Sequence, residues 1–169
     1  MNVLIVVDMQ RDFVDGVLGT PEAVAIVPAV KARIERAREA GEEVIFTRDT
    51  HTENYLRTQE GQNLPVVHCV RGTPGWEIID ELPVGDSLVI DKPTFGSTEL
   101  GQYVAQKQPE HITLIGVCTD ICVISNALLC KAYAPEIPIT VEANCCAGVT
   151  PQSHDTALNA MRACQIGIV

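Results

Sequence analysis

Positive charge is in short supply in this sequence. Twelve Lys and Arg face 22 Asp and Glu, a formal net charge of −10, and a surface of that sign repels a phosphate backbone, which argues against nucleic acid as a partner. It does not bear on a small neutral ligand. Long apolar runs are missing too: the start, MNVLIVVDMQ, is apolar only from Val3 to Val7 before Asp8 interrupts it. That is too short for a signal peptide or a membrane span, so a cytoplasmic protein with no membrane partner is expected. None of the seven cysteines stands in a C-x-x-C pair. An odd number without an export signal implies no disulfide framework, and most should be reduced, buried and inert. Cys145 and Cys146 adjoin and Cys118 and Cys122 are four apart, spacings that argue against a redox pair. No internal repeat or low-complexity segment breaks the chain.

What is present suits one ordinary domain. At 169 residues, 46% hydrophobic and 20% charged, the chain can bury roughly 70% of its unfolded surface. Val3 to Val7 reads as a strand buried on both faces. From Pro21, Ala23, Ile26, Val27, Val30, Ile34 and Ala37 keep helical spacing up to Gly41. Further strands are expected at Glu43 to Thr47, Ser87 to Ile90, Ile112 to Gly116 and Ile137 to Val141, with a last one at Ile166 to Val169. Helices are expected at Thr98 to Gln106, Thr119 to Tyr133 and Pro151 to Cys164, the last capped by Thr150 or Ser153. This alternation predicts an α/β fold, a single domain with a mainly parallel, Rossmann-like sheet and helices on both faces. Asp49 to Pro83 breaks the rhythm. It is rich in Gly and Pro and holds two of the four histidines, the marks of a functional loop.

Ligand crevices in open α/β sheets lie beyond the carboxyl ends of the strands. The residues there are polar: Asp8, then Asp49 and His51, then Asp91 and Lys92, then Cys118 to Cys122. Cys122 sits in GVCTDICV, where Thr119 or Asp120 can cap a helix. A cysteine in a helix's first turn meets free N–H groups and positive dipole, which lower its pKa and offer donors to an oxyanion. Asp8 and Lys92 supply a proton acceptor and a cation without any histidine. Each alone would be an ordinary turn or surface residue; their shared edge gives them weight.

VVDMQRDF (Val6 to Phe13), DKPTFGST (Asp91 to Thr98) and GVCTDICV (Gly116 to Val123) resemble, in order and spacing, three blocks of the isochorismatase-like cysteine hydrolases. The resemblance covers nearly the whole chain. It implies a catalytic triad of Asp8, Lys92 and Cys122, and a cis Val117–Cys118 peptide shaping an oxyanion hole. Asp49, His51 and His68 resemble the metal set of the nicotinamidase and pyrazinamidase members, and Glu60 the extra carboxylate of some of them, although loop lengths vary there. Two imidazoles with carboxylates suit a divalent metal, zinc first, with iron or manganese as alternatives. Phe13 and Phe95 fall where the family holds aromatics over the substrate ring, and both could equally be core. Gln10 is expected with them among the substrate-binding residues, orienting Asp8 beside it; Trp76 has no assigned role.

The resulting expectation is a metal-dependent amidohydrolase that converts nicotinamide or a similar small amide to the acid and ammonia through a Cys122 thioester. The alternatives are a cysteine hydrolase of a carbamoyl or ureido amide, an isochorismate-type vinyl ether hydrolase, or a non-catalytic member of the fold. Because family members commonly associate, a homo-oligomer is expected.

Overall fold

A computed structural model describes all residues, Met1–Val169. Six parallel strands, β1 (Val3–Val7), β2 (Glu43–Asp49), β3 (Leu88–Lys92), β4 (Ile112–Val117), β5 (Ile139–Ala147) and β6 (Gly167–Ile168), form one sheet in the order β3-β2-β1-β4-β5-β6. β1 lies between β2 and β4 and is wholly buried, which its unbroken VLIVV run requires. Val3, Ile5 and Val7 face one apolar cluster, Leu4 and Val6 the other. On the first face pack α4 (Thr98–Lys107), α5 (Ile124–Tyr133) and α6 (Pro151–Ala163), through Leu100 and Val104, Ala127 and Cys130, and Leu158 and Met161. On the second lies α2 (Pro21–Glu39), through Ala23, Val30, Ile34 and Ala37. A short α1 (Arg11–Val14) follows β1, and α3 (Gln59–Asn63) lies in the long segment after β2. No helix is long and apolar enough to cross a membrane.

The chain runs outward from β1 through β2 to β3, then returns to place β4 on β1's other side. The strand order thus reverses between β1 and β4, where their carboxyl ends open a crevice. Gly116 makes the closeness of the two strands possible. Its φ is +117°, and a Cβ there would lie 2.2 Å from the Val7 carbonyl oxygen.

The expected elements are present with shifted ends. β2 and β3 run on to Asp49 and Lys92, so those residues close the strands rather than follow them. β5 begins at Ile139 rather than Ile137, since Pro138 has no N–H to pair, and it continues to Ala147 beyond a break in register. β6 is only Gly167–Ile168. The expected helix from Thr119 opens with a π turn, Thr119–Val123, before α5 proper. Thr150 caps α6, and Ser153 answers it in a reciprocal capping box.

Candidate active site

Asp8, Lys92 and Cys122 come from three different strand ends and meet at the crevice, all buried. Asp8 turns sharply out of β1 with φ +49°, a left-handed conformation that Asp tolerates better than most residues. Thr47 on the neighbouring strand donates its hydroxyl to Asp8 Oδ1 at 2.7 Å. Lys92 Nζ stands 2.6 Å from Asp8 Oδ2 and 3.6 Å from Asp49 Oδ1. It donates to Cys122 Sγ at 3.4 Å and to the Thr94 carbonyl at 3.1 Å. The Val117–Cys118 peptide leading into the cysteine turn is cis.

Burial sets the electrostatics. It pushes the Asp8 carboxyl above the usual carboxylate range despite Lys92 beside it, which makes Asp8 a better proton acceptor. Burial works against a charged Lys92, but Asp8, Cys122 and Asp49 together outweigh it and raise the ammonium's pKa. Burial also drives the Cys122 thiol well above its ordinary value, with Asp8 adding to the rise.

That corrects the sequence expectation of a thiol acidified by a helix N-terminus. The turn is π-wound, and neither expected cap caps it. The Thr119 hydroxyl is hydrogen-bonded to His154 Nδ1 at 2.6 Å, and Asp120 Oδ1 accepts from the Val149 N–H. Burial thus favours the neutral thiol, and ionising it calls for a proton acceptor close by.

Beside the triad stand Asp49, His51, His68 and Glu60, whose ligand atoms all lie within 4.8 Å of one another. His51 Nε2 is 2.8 Å and His68 Nε2 3.4 Å from Asp49 Oδ2; Glu60 Oε1 is 3.5 and 3.8 Å from the same two nitrogens. His68 Nδ1 lies 2.7 Å from the Val66 carbonyl, which can only accept, so Nδ1 carries the proton and Nε2 faces the carboxylates. Asp49 Oδ1 is buried without a hydrogen-bond partner. This convergence of two imidazole nitrogens and two carboxylates fits a divalent cation. Although burial opposes ionisation of Asp49, hydrogen bonds from both histidines and the charge of Lys92 hold its carboxyl far below the usual range.

A cavity of about 250 Å³ joins the two groups. Phe13, Leu18, Leu64, Phe95, Ile121 and Val149 form its apolar wall, while Cys118, Cys122, Asp49, Glu60 and His68 reach it. Phe13 and Phe95 thus both line it. Phe13 packs against the His68 ring at 5.4 Å and Phe95 is 42% exposed at the mouth. Gln10 lies elsewhere. Fully buried, its side chain donates to the Asp49 and Trp76 carbonyls and accepts from the Asp49 N–H, so it tethers the end of β2 to the Trp76 loop instead of orienting Asp8. Thr47 has the role expected of Gln10. The Arg48 guanidinium stacks over Trp76, 3.6 Å from its ring centroid, and Trp76 donates Nε1–H to the Thr50 hydroxyl.

Three residues escaped the sequence reading. Thr47 sits one strand over from Asp8, a register that only strand pairing reveals. Tyr55 presents its ring to His51 and His68 at 4.7 and 4.9 Å and donates its hydroxyl to the Leu64 carbonyl; an aromatic inside the histidine loop was a usable signal. Asn126, four residues after Cys122, donates to the Cys122 carbonyl.

The parallel sheet gathers a cysteine and several carboxylates at its strand ends, and comparison with known proteins gives the class. The isochorismatase domain matches residues 2–169, and the chain belongs to that family. It is 25% identical to the nicotinamidase/pyrazinamidase of Mycobacterium tuberculosis, across 100% of this chain and 98% of that protein. Among solved structures it resembles a pyrazinamidase of Pyrococcus horikoshii in complex with zinc, with TM-score 0.88, 31% identity, and 99% and 98% of the two chains covered. It also resembles an N-carbamoylsarcosine amidase of Thermoplasma acidophilum, with TM-score 0.80, 26% identity, and 99% and 94% covered.

Proposed function

We propose that the protein is a metal-dependent amidohydrolase that converts nicotinamide, or a similar small heteroaromatic amide, to the acid and ammonia through a thioester on Cys122. The observation that carries this reading is the opening of one apolar-walled cavity onto both the Cys122 thiol and the Asp49, His51, His68 and Glu60 cluster. The similarity to nicotinamidases and pyrazinamidases supports it.

The chemistry follows from the residues in place. The substrate ring enters between Phe13 and Phe95 with its carboxamide toward Cys122. Asp49, His51, His68 and Glu60 would hold a divalent metal, which would supply Lewis acidity beside the substrate. Asp8, its basicity raised by burial, takes the thiol proton as Sγ forms its bond to the amide carbon. Lys92, 3.4 Å from the sulfur, stabilises the thiolate as it develops. Backbone N–H groups at Cys118 and Cys122 receive the oxyanion, a contribution of about 3 kcal/mol per donor. The C–N bond breaks, the proton held on Asp8 goes to the leaving ammonia, and water then cleaves the thioester to give the acid and the free thiol.

A carbamoyl amide is the second reading, favoured by the likeness to the N-carbamoylsarcosine amidase. The wall charges weigh against it. The cavity is lined by no Lys or Arg, so a substrate bearing a free carboxylate finds no cationic side chain in the wall to pair with. The test is ammonia release from nicotinamide by the purified enzyme, before and after chelation, with metals restored singly. Metal-dependent release supports the reading. No release by the metal-loaded enzyme, together with release from a carbamoyl amino acid, would replace it with the second.

A further inference from the structure

Asn126 is fully buried one turn beyond Cys122, on α5, yet it is not among the residues lining the cavity. Its carboxamide serves three backbone groups. Nδ2 donates to the Cys122 carbonyl at 2.8 Å and to the Phe95 carbonyl at 3.1 Å, while Oδ1 accepts from the Ser97 N–H at 2.9 Å. The orientation is fixed by chemistry, since two carbonyls can only accept and an amide N–H can only donate. One side chain therefore ties the nucleophile's own backbone to the loop that carries the aromatic wall. That loop is held at its other end by Lys92, which donates to the Thr94 carbonyl. It approaches α5 closely, for a Cβ at Gly96 would lie 2.5 Å from Leu129 and 3.5 Å from Ser125.

We propose that Asn126 is a positioning residue that sets the spacing between the Cys122 nucleophile and the Phe95 wall, and so governs how the amide is seated for attack. The inference rests on the amide-hydrolysis reading for its kinetic consequence and on geometry alone for the coupling. Its two halves are separable. A threonine at this position keeps a hydroxyl donor to the carbonyl four residues back, that of Cys122, but cannot also reach Phe95 and Ser97. An alanine loses all three bonds. An aspartate keeps the bond from Ser97 and turns one acceptor oxygen on the two carbonyls.

The experiment compares wild type with N126T, N126S, N126A and N126D, all metal-loaded. It measures kcat and KM for nicotinamide, the rate of Cys122 alkylation by iodoacetamide, and hydrogen exchange at the Ser97 amide. For Asn126→Thr, KM should rise about tenfold while kcat and the alkylation rate stay within about threefold, and Ser97 exchange should accelerate. Asn126→Ser should behave alike, which covers a threonine variant that does not fold. Asn126→Ala should lose in both kcat and KM, and Asn126→Asp should not be rescued by its similar size. A lower melting temperature with kcat, KM and Ser97 exchange all unchanged would reduce Asn126 to a structural residue and overturn the proposal, as would a fall in kcat alone in Asn126→Thr. If wild type releases no ammonia from nicotinamide, the functional reading fails separately. Alkylation and Ser97 exchange then decide the coupling: accelerated exchange with unchanged alkylation in Asn126→Thr upholds it, and unchanged exchange overturns it.

Discussion

Replacing Lys92 with methionine keeps the length of the side chain and removes a fully buried ammonium that lies 2.6 Å from one carboxylate and 3.6 Å from another. Breaking a buried pair by deleting one partner costs about 3–5 kcal/mol, because the other charge stays desolvated and uncompensated. At 169 residues each kcal/mol is worth about 2–4 °C, so the melting temperature should fall by about 6–20 °C. The loss should depend on pH. Burial already raises the Asp8 pKa, and deleting the cation raises it further, so the folded state holds a proton that the unfolded state, near 3.9, has released. A raised carboxyl contributes stability that is complete below the unfolded pKa and is lost as pH rises toward the folded one. Lys92→Met should therefore lose more, relative to wild type, at pH 8 than at pH 5, and adding Asp8→Asn should recover much of the loss and flatten that dependence. The assay is urea unfolding of metal-free protein followed by circular dichroism at both pH values. A Lys92→Met variant within about 0.5 kcal/mol of wild type, or one that loses more at pH 5, would refute the reasoning.

Three shorter predictions follow from the same geometry. Cys122→Ala should abolish ammonia release while leaving the unfolding midpoint nearly unchanged, and mass spectrometry of quenched wild-type reactions should find an acyl adduct on Cys122; turnover by the variant would rule out the covalent route. Zinc at about 100 times its Kd should stabilise the apoprotein by about 2.7 kcal/mol, and Asp49→Asn combined with His68→Asn should remove that thermal shift; a shift that survives both changes puts the metal elsewhere. Gly116→Ala should cost at least about 3 kcal/mol, because the new Cβ meets β1 backbone at 2.2 Å; a loss below about 1 kcal/mol would show that the two strands can separate freely.

The parts of the fold legible in the sequence are those where one signal decides. The short β-branched run VLIVV reads as a strand covered on both sides, and Asp49-x-His51 at a strand end points to ligands aimed into one crevice. The second half of β5 was hidden because Glu142, Ala143 and Asn144 interrupt its apolar pattern. They lie where the register with β4 jumps from Leu114 opposite Val141 to Gly116 opposite Cys146, and Ala143 donates instead to the Val169 carbonyl. Thr47 was invisible for a different reason, since its role depends on standing beside Asp8 across the sheet, a relation that no spacing along the chain encodes. A helix start beside Cys122 points to a lowered pKa, but the depth of the thiol, which sequence does not report, raises it instead.

That depth explains why the base and the cation must come as a pair. A thiol this buried cannot ionise against the full cost of desolvation, and a lone carboxylate beside it would oppose a second negative charge. With Lys92 touching both Asp8 and Cys122, proton transfer from sulfur to Asp8 moves one negative charge across the face of one ammonium, so the net charge of the three groups does not change. The same ammonium is 3.6 Å from Asp49, on the metal cluster's side. Lys92 is therefore shared between Asp8, the proposed acceptor of the thiol proton, and the carboxylate that faces the two histidines. A substitution that neutralises Asp49 acts on Cys122 as well, because it leaves the whole of the Lys92 charge to Asp8 and the sulfur. The proposed catalytic triad and the proposed metal ligands are thus one electrostatic unit, and kinetic effects of mutations in the two groups should be strongly non-additive.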